Sequence, residues 1–94
     1  MKNMVALFLM NEDEKINYFR DYLSVWSSNY DSYLVKFNAL YEESLKYKDS
    51  AKSKYLDYCE RLHSLFLNMQ RCDDFIKIYY ILIDNIYNSA SYAP

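Results

Sequence analysis

His63 is the one histidine of this 94-residue chain, and it follows Cys59 by four residues. On a helix that spacing puts both side chains on one face, where a thiolate and an imidazole can reach the same metal ion. Two ligands do not complete a tetrahedral site, and Cys72 stands more than a helical turn beyond both. The expectation is a partly exposed histidine on a helix flank, with no metal site and no cofactor. The adjacent acids Glu42 and Glu43, and Asp73 and Asp74, belong to the types that move protons in enzymes. Neighbours on a helix diverge by about 100°, so neither pair converges on one substrate atom. Asp73 or Asp74 has a simpler use as the cap of a helix restarting after Cys72. No nucleophile stands in a recognisable relation to a base, so no catalytic residue and no enzymatic activity are expected.

Cys59 and Cys72 are thirteen residues apart, about 20 Å along one helix, too far for a disulfide. Both are read as buried, reduced side chains of the helix seam, which points to no oxidising compartment. The one basic island is Lys46, Lys48, Lys52 and Lys54, diluted by Asp49. A solvated turn is its first reading. The alternative is a nucleic-acid contact in which nearby tyrosines stack on bases.

Composition narrows the classes that can position such residues. Glycine is absent, proline occurs once, and 52% of residues are hydrophobic. Glycine-dependent hairpins, bulges and phosphate loops are therefore missing, which disfavours all-β and nucleotide-binding folds. A formal net charge of −2 neither mimics nucleic acid nor attracts it strongly. Twelve tyrosines beside many Asn, Lys and Ile residues fit an AT-rich genome, such as that of a phage or a low-GC bacterium.

Periodicity supplies the elements. From Tyr55, alternating steps of three and four give Tyr58, Leu62, Leu65, Met69, Cys72, Ile76, Tyr79, Ile83 and Ile86, every one apolar or aromatic. One chosen phase would fill all ten positions by chance about once in a thousand trials, so the pattern predicts a long helix with a heptad seam. The same steps from Ile16 give Phe19, Leu23, Trp26, Tyr30, Tyr33, Phe37, Leu40, Ser44 and Tyr47, with Ser44 the one polar member. Asn11 followed by Glu14, with the acidic run Glu12 to Glu14, marks a helix start. Ser27, Ser28 and Asn29 are poor helix formers, yet the seam passes through them in phase, which predicts a continuous or merely kinked helix.

The phase slips once, between Tyr47 and Tyr55. Either residues 48–54 reverse an antiparallel hairpin, or one helix runs on through a stutter. A single helix of about seventy residues would be about 105 Å long and need a partner throughout. The hairpin is preferred, with Leu23 facing Ile76, Tyr30 facing Met69, Phe37 facing Leu62 and Ile16 facing Ile83. The predicted class is all-α: a long antiparallel, coiled-coil-like hairpin or small helical bundle, with room for a short N-terminal third element. The single domain divides into an apolar N-terminal segment (1–10), a first arm (11–47), the turn (48–54) and a second arm (55–88). Residues 1–10 are too short to span a membrane and poor as a signal peptide, and a cytoplasmic protein is expected.

Beside the seams lies a second stripe: Tyr18, Tyr22 and Val25 in the first arm, Phe75, Ile78 and Leu82 in the second. Each stands one step before a seam position. In an antiparallel hairpin a like offset turns both helices toward one side, so the six are expected to form one apolar patch far from the turn. The stretch Phe75 to Ile83 is apolar nearly all round, the mark of a helix covered on several sides. The chain's own Val5, Leu7, Phe8 and Leu9, another protein, or a second copy could cover it. The function these features imply is a protein–protein interaction module, such as a small adaptor, a secretion-partner chaperone or a phage-type inhibitor of a host protein, with a homo-oligomer also expected. A nucleic-acid-associated helical protein is the alternative.

Overall fold

The computed structural model describes residues 9–92, with side chains through residue 89. Two helices, α1 (Glu12–Leu45) and α2 (Lys52–Tyr92), run antiparallel as a helical hairpin. Asn11 caps α1: its side-chain Oδ1 accepts from the Glu14 backbone N–H at 2.8 Å, and Glu12, Asp13 and Glu14 sit against the positive helix end. α1 runs unbroken through Ser27 to Asn29, and α2 runs unbroken through Asp73 and Asp74. Asp73 is thus no cap. It accepts an ion pair from Lys77 one turn on, at 2.8 Å.

The reversal occupies residues 46–51, earlier than the expected 48–54, so Lys52 to Lys54 open α2 instead of forming the turn. The chain leaves α1 through a right-handed residue at Lys46, a position that needs no glycine. Lys46 keeps right-handed helical dihedrals (φ −63°, ψ −24°), and its N–H reaches back to the carbonyls of Glu43 and Ser44. Tyr47 N–H then donates to Ser44 O at 3.0 Å, Ala51 N–H to Tyr47 O at 3.0 Å, and Tyr55 N–H to Ala51 O at 2.9 Å. These bonds satisfy the backbone donors of Lys46, Tyr47, Ala51 and Tyr55 through the reversal.

The seam lies where the periodicity predicts it. None of its twenty side chains is exposed, and the polar exception, Ser44, is among the most buried at 1% exposure. Its hydroxyl donates to the Tyr41 carbonyl at 2.6 Å, which removes the cost of burying a polar group at a point where the helices close toward the turn. The register agrees with the facing pairs to within two residues: Tyr22 stacks on the seam residue Tyr79, the seam residue Trp26 stacks on Phe75, and Tyr30 and Met69 line one groove.

The molecule measures 68 × 27 × 14 Å, a layer one helix thick. A helix with side chains is about 10–12 Å across, so among the described residues neither broad face has a second layer over it. The seam is correspondingly shallow. Ile16, Tyr58, Cys72, Ile83 and Ser44 are buried, while the other seam side chains are half-buried. Among the described residues no helix is long and apolar enough to cross a membrane. Of the proposed N-terminal cover, Val5, Leu7 and Phe8 lie outside the described residues, and Leu9 is 82% exposed.

Candidate protein interface at the open end

The six residues one step before the seam come together at the open end of the hairpin through a run of aromatic contacts. Tyr18 and Tyr22, one helical turn apart, have ring centroids 5.0 Å apart, and the Tyr18 hydroxyl donates to that of Tyr22 at 3.4 Å. Tyr22 stacks across the interhelical seam on Tyr79, 5.6 Å away with planes 10° apart. Trp26 stacks on Phe75 at 4.5 Å. Leu82 continues the surface into a shallow groove lined by Phe19, Ile86, Lys15 and Asn85. These offset and stacked pairs fix several side chains at each other's expense of freedom, so the surface is pre-organised.

Exposure separates support from contact surface. Tyr18, Phe75 and Leu82 are half-buried, whereas Tyr22 (37%), Ile78 (47%) and Val25 (54%) remain exposed. Two phenols of this cluster, Tyr18 and Tyr79, are held above their ordinary value. Hydrogen bonding to Tyr22, with a smaller contribution from burial, raises Tyr18, and burial followed by the nearby Tyr22 raises Tyr79. At neutral pH the patch is therefore uncharged, edged by hydroxyls and bounded by Lys15.

A second apolar patch escaped the sequence reading. It consists of residues one step after the seam, on the opposite broad face and at the turn end: Leu34, Tyr41, Leu45, Leu56, Cys59 and Phe66. Tyr41, Leu45, Leu56 and Phe66 are 46–52% exposed. Cys59, first by its charge and then by a hydrogen bond, raises the Tyr55 phenol, and Tyr41 contributes from the other helix. Phe66 and Tyr30 line one groove. At the open end of the same face, Arg20 donates to the Tyr87 hydroxyl at 2.7 Å. Stepping forward from seam positions finds these residues, but singly, with Asn38, His63 and Gln70 among them.

The remaining candidates are dispersed or already engaged. Cys59 stands beside the seam residue Tyr58 and is half-exposed, which corrects its expected burial; Cys72 is buried, at 1% exposure, and burial raises its thiol. His63 is exposed. Among the described residues no group of three His, Cys, Asp or Glu side chains is placed to hold a metal ion. Glu42 and Glu43 are exposed on different faces of α1, and the Tyr58 phenol is raised first by burial and then by the Glu43 carboxylate beside it. In the basic island, Lys54 lies over the Tyr47 ring, 4.3 Å from its centroid, and Tyr47 stacks on Tyr58 at 5.6 Å. Arg61 stands 5.7 Å from the Tyr58 centroid and pairs with Asp57 at 3.1 Å. Tyr47 and Tyr58 thus give their faces to one another and to cations. Lys46, Lys48 and Lys52 are exposed around the turn.

Comparison with protein-family models, curated proteins and solved structures finds no match to this chain, so the functional reading rests on the molecule's own geometry.

Proposed function

We propose that this protein is a non-enzymatic protein-binding hairpin whose working surface is the open-end patch of Tyr18, Tyr22, Val25, Phe75, Ile78 and Leu82. The observation that carries this is the patch's form: three exposed apolar side chains on a stacked aromatic base, on the open face of a layer 14 Å thick. Interfaces of this kind place aromatic residues at a desolvated centre and polar groups at the rim. Here Tyr22 and Ile78 form the centre, and Lys15 with Asn85 borders it. An amphipathic helix or a second helical layer is the occupant whose shape suits two parallel ridges of side chains. The output is contact, as in an adaptor, a secretion-partner chaperone or an inhibitor that occupies another protein's surface. Free thiols at Cys59 and Cys72 support a cytoplasmic setting.

The test is the double variant Tyr22→Glu with Ile78→Glu, used beside wild type as bait in extract of the native host. Both residues are exposed, so the variant keeps its helical circular dichroism, and it loses the associations that wild type makes. A folded double variant that retains every association removes the patch from the account. Unfolding of the double variant shows instead that the patch is internal structure.

A further inference from the structure

The reversal carries little of the chemistry that ends one helix and begins another. α1 opens on a hydrogen-bonded cap, Asn11, with three acids on its positive end. α2 opens with neither. Its first intrahelical bond, from Tyr55 N–H to Ala51 O, puts alanine in the capping position, where no side-chain oxygen can serve the leading N–H groups. Its first turn has no acid and sets Lys52 and Lys54 on the positive end. The backbone bonds of the reversal run back three residues, from Lys46 and Tyr47, or four, from Ala51 and Tyr55. The Ser50 hydroxyl likewise donates to Lys46 O, four residues back at 3.2 Å, as a serine inside a helix does. Residues 46–51 therefore reverse the chain through bonds of helical spacing, with no glycine or proline among them.

We infer that residues 46–51 are a hinge on which the hairpin opens into one continuous helix, and that two opened copies exchange their second arms. In the exchanged dimer α1 of each copy packs on α2 of the other, so each seam is covered by the same surface that covers it in the hairpin. Joining the helices removes both helix ends at the reversal, each of which leaves up to four backbone groups without intrahelical partners. The seam also continues across the hinge. Tyr47, Ala51 and Tyr55 stand at steps of four, a stutter that keeps them on one side of a coiled coil. The register that faces Leu23 with Ile76 brings Ala51 of one copy beside Tyr47 of the other.

Two effects hold the protein closed when it is dilute. The arms of one chain meet each other at an effective concentration of roughly millimolar order, as a short connection gives. The exchanged dimer also gathers Lys46, Lys48, Lys52 and Lys54 of both copies at its centre, where like charges repel. High protein concentration offsets the first effect and salt the second. Exchange changes what the protein presents to others. Each end of the rod rebuilds the open-end surface, with Tyr22 of one copy beside Tyr79 of the other, and the two surfaces stand about 85 Å apart. The exchange itself does not depend on the reading of that surface as a binding site.

The test is refolding from denaturant at low and at high protein concentration, with and without added salt, followed by sedimentation velocity. Dilute refolding gives monomer. Concentrated refolding gives a dimer in a yield that salt raises, and the dimer persists on dilution because parting the arms requires unfolding. Spin labels at positions 30 and 69 of one chain, with Cys59→Ser and Cys72→Ala and an excess of unlabelled chains, lie within about 15 Å in the monomer and near 60 Å in the dimer. Lys52→Pro then separates hinge from seam. Lys52 is exposed and is the first residue of α2, where proline is tolerated, but in a continuous helix it falls in the interior. The variant keeps the helical circular dichroism of the hairpin, and its dimer weakens roughly ten-thousand-fold, about a hundredfold for each of the two hinges. Asp49→Gly with Ser50→Gly replaces it if Lys52→Pro melts, since glycine burdens a helix interior more than a turn. The absence of a dimer under all of these conditions overturns the inference. So does a dimer whose labelled chains keep the short distance, or one that the hinge variant leaves as stable as wild type.

Discussion

Ser44 offers a sharp contest between periodicity and geometry. Heptad logic treats it as the one unfilled seam position, so Ser44→Leu should gain the burial of a large apolar side chain, about 1.5–3 kcal/mol. The structure predicts the reverse. Ser44 is 1% exposed, its hydroxyl sits 2.6 Å from the Tyr41 carbonyl, and the reversal begins two residues later at Lys46. A leucine there must push the helices apart where the turn holds them, and such overpacking costs about 1–3 kcal/mol. Ser44→Ala keeps the volume. It loses a hydrogen bond of about 0.5–1.5 kcal/mol, partly offset by the better helix propensity of alanine, about 0.5 kcal/mol, and should fall within about 1 kcal/mol of wild type. Thermal melts followed by circular dichroism resolve the difference, because each kcal/mol moves the midpoint by about 4–8 °C in a domain of this size. A leucine variant as stable as wild type, or more so, would refute the close approach at Ser44 and with it the packing of the turn.

The cysteines should now behave differently from each other. A thiol reagent at neutral pH labels half-exposed Cys59 in the native protein and reaches buried Cys72 only on unfolding, and equal native rates would contradict the seam. Alkaline pH should destabilise the hairpin. Cys72, Tyr18, Tyr55, Tyr58 and Tyr79 are all raised from ordinary values of 9.0 for the thiol and 10.0 for the phenols. The folded state therefore binds these protons more tightly than the unfolded state. The stability they contribute is complete below the ordinary values and is lost as pH rises through the folded-state ones. Denaturant midpoints unchanged between pH 8 and pH 11 would contradict this. Spin labels at positions 30 and 69, which border one groove, should lie within about 15 Å in a single chain, whereas a distance near 60 Å, about forty residues of straight helix, would mean an extended helix.

What the sequence made legible follows from helix geometry. The three-four step is a property of 3.6 residues per turn, so the seams from Ile16 to Tyr47 and from Tyr55 to Ile86 could be read residue by residue. The open-end stripe followed from the same periodicity once the arms were antiparallel. Three things were harder. The turn bounds were displaced because α1 ends at Lys46 with right-handed dihedrals, which call for no glycine or proline that could be read. Register was blurred because two heptads align at many offsets, and only side-chain shape, such as Trp26 on Phe75, selects among them. The patch around Phe66 was missed because its members are spread singly among polar neighbours such as Asn38, His63 and Gln70. They join only when two helices bring them to one face. Cys59 was misplaced for a simpler reason: it adjoins a seam residue, and one step on a helix is a turn of about 100°.

The account turns on whether the open-end patch is covered when the protein works, and two isoleucines three residues apart on α2 provide the measurement. Ile78 lies in the patch at 47% exposure, while Ile81 lies on the outer edge of the helix at 58%. Hydroxyl-radical footprinting read by mass spectrometry should oxidise both at similar rates in dilute, purified protein. In host extract, the rate at Ile78 should fall several-fold while Ile81 stays reactive. A constant ratio of the two rates under every condition would contradict a contact role for this surface.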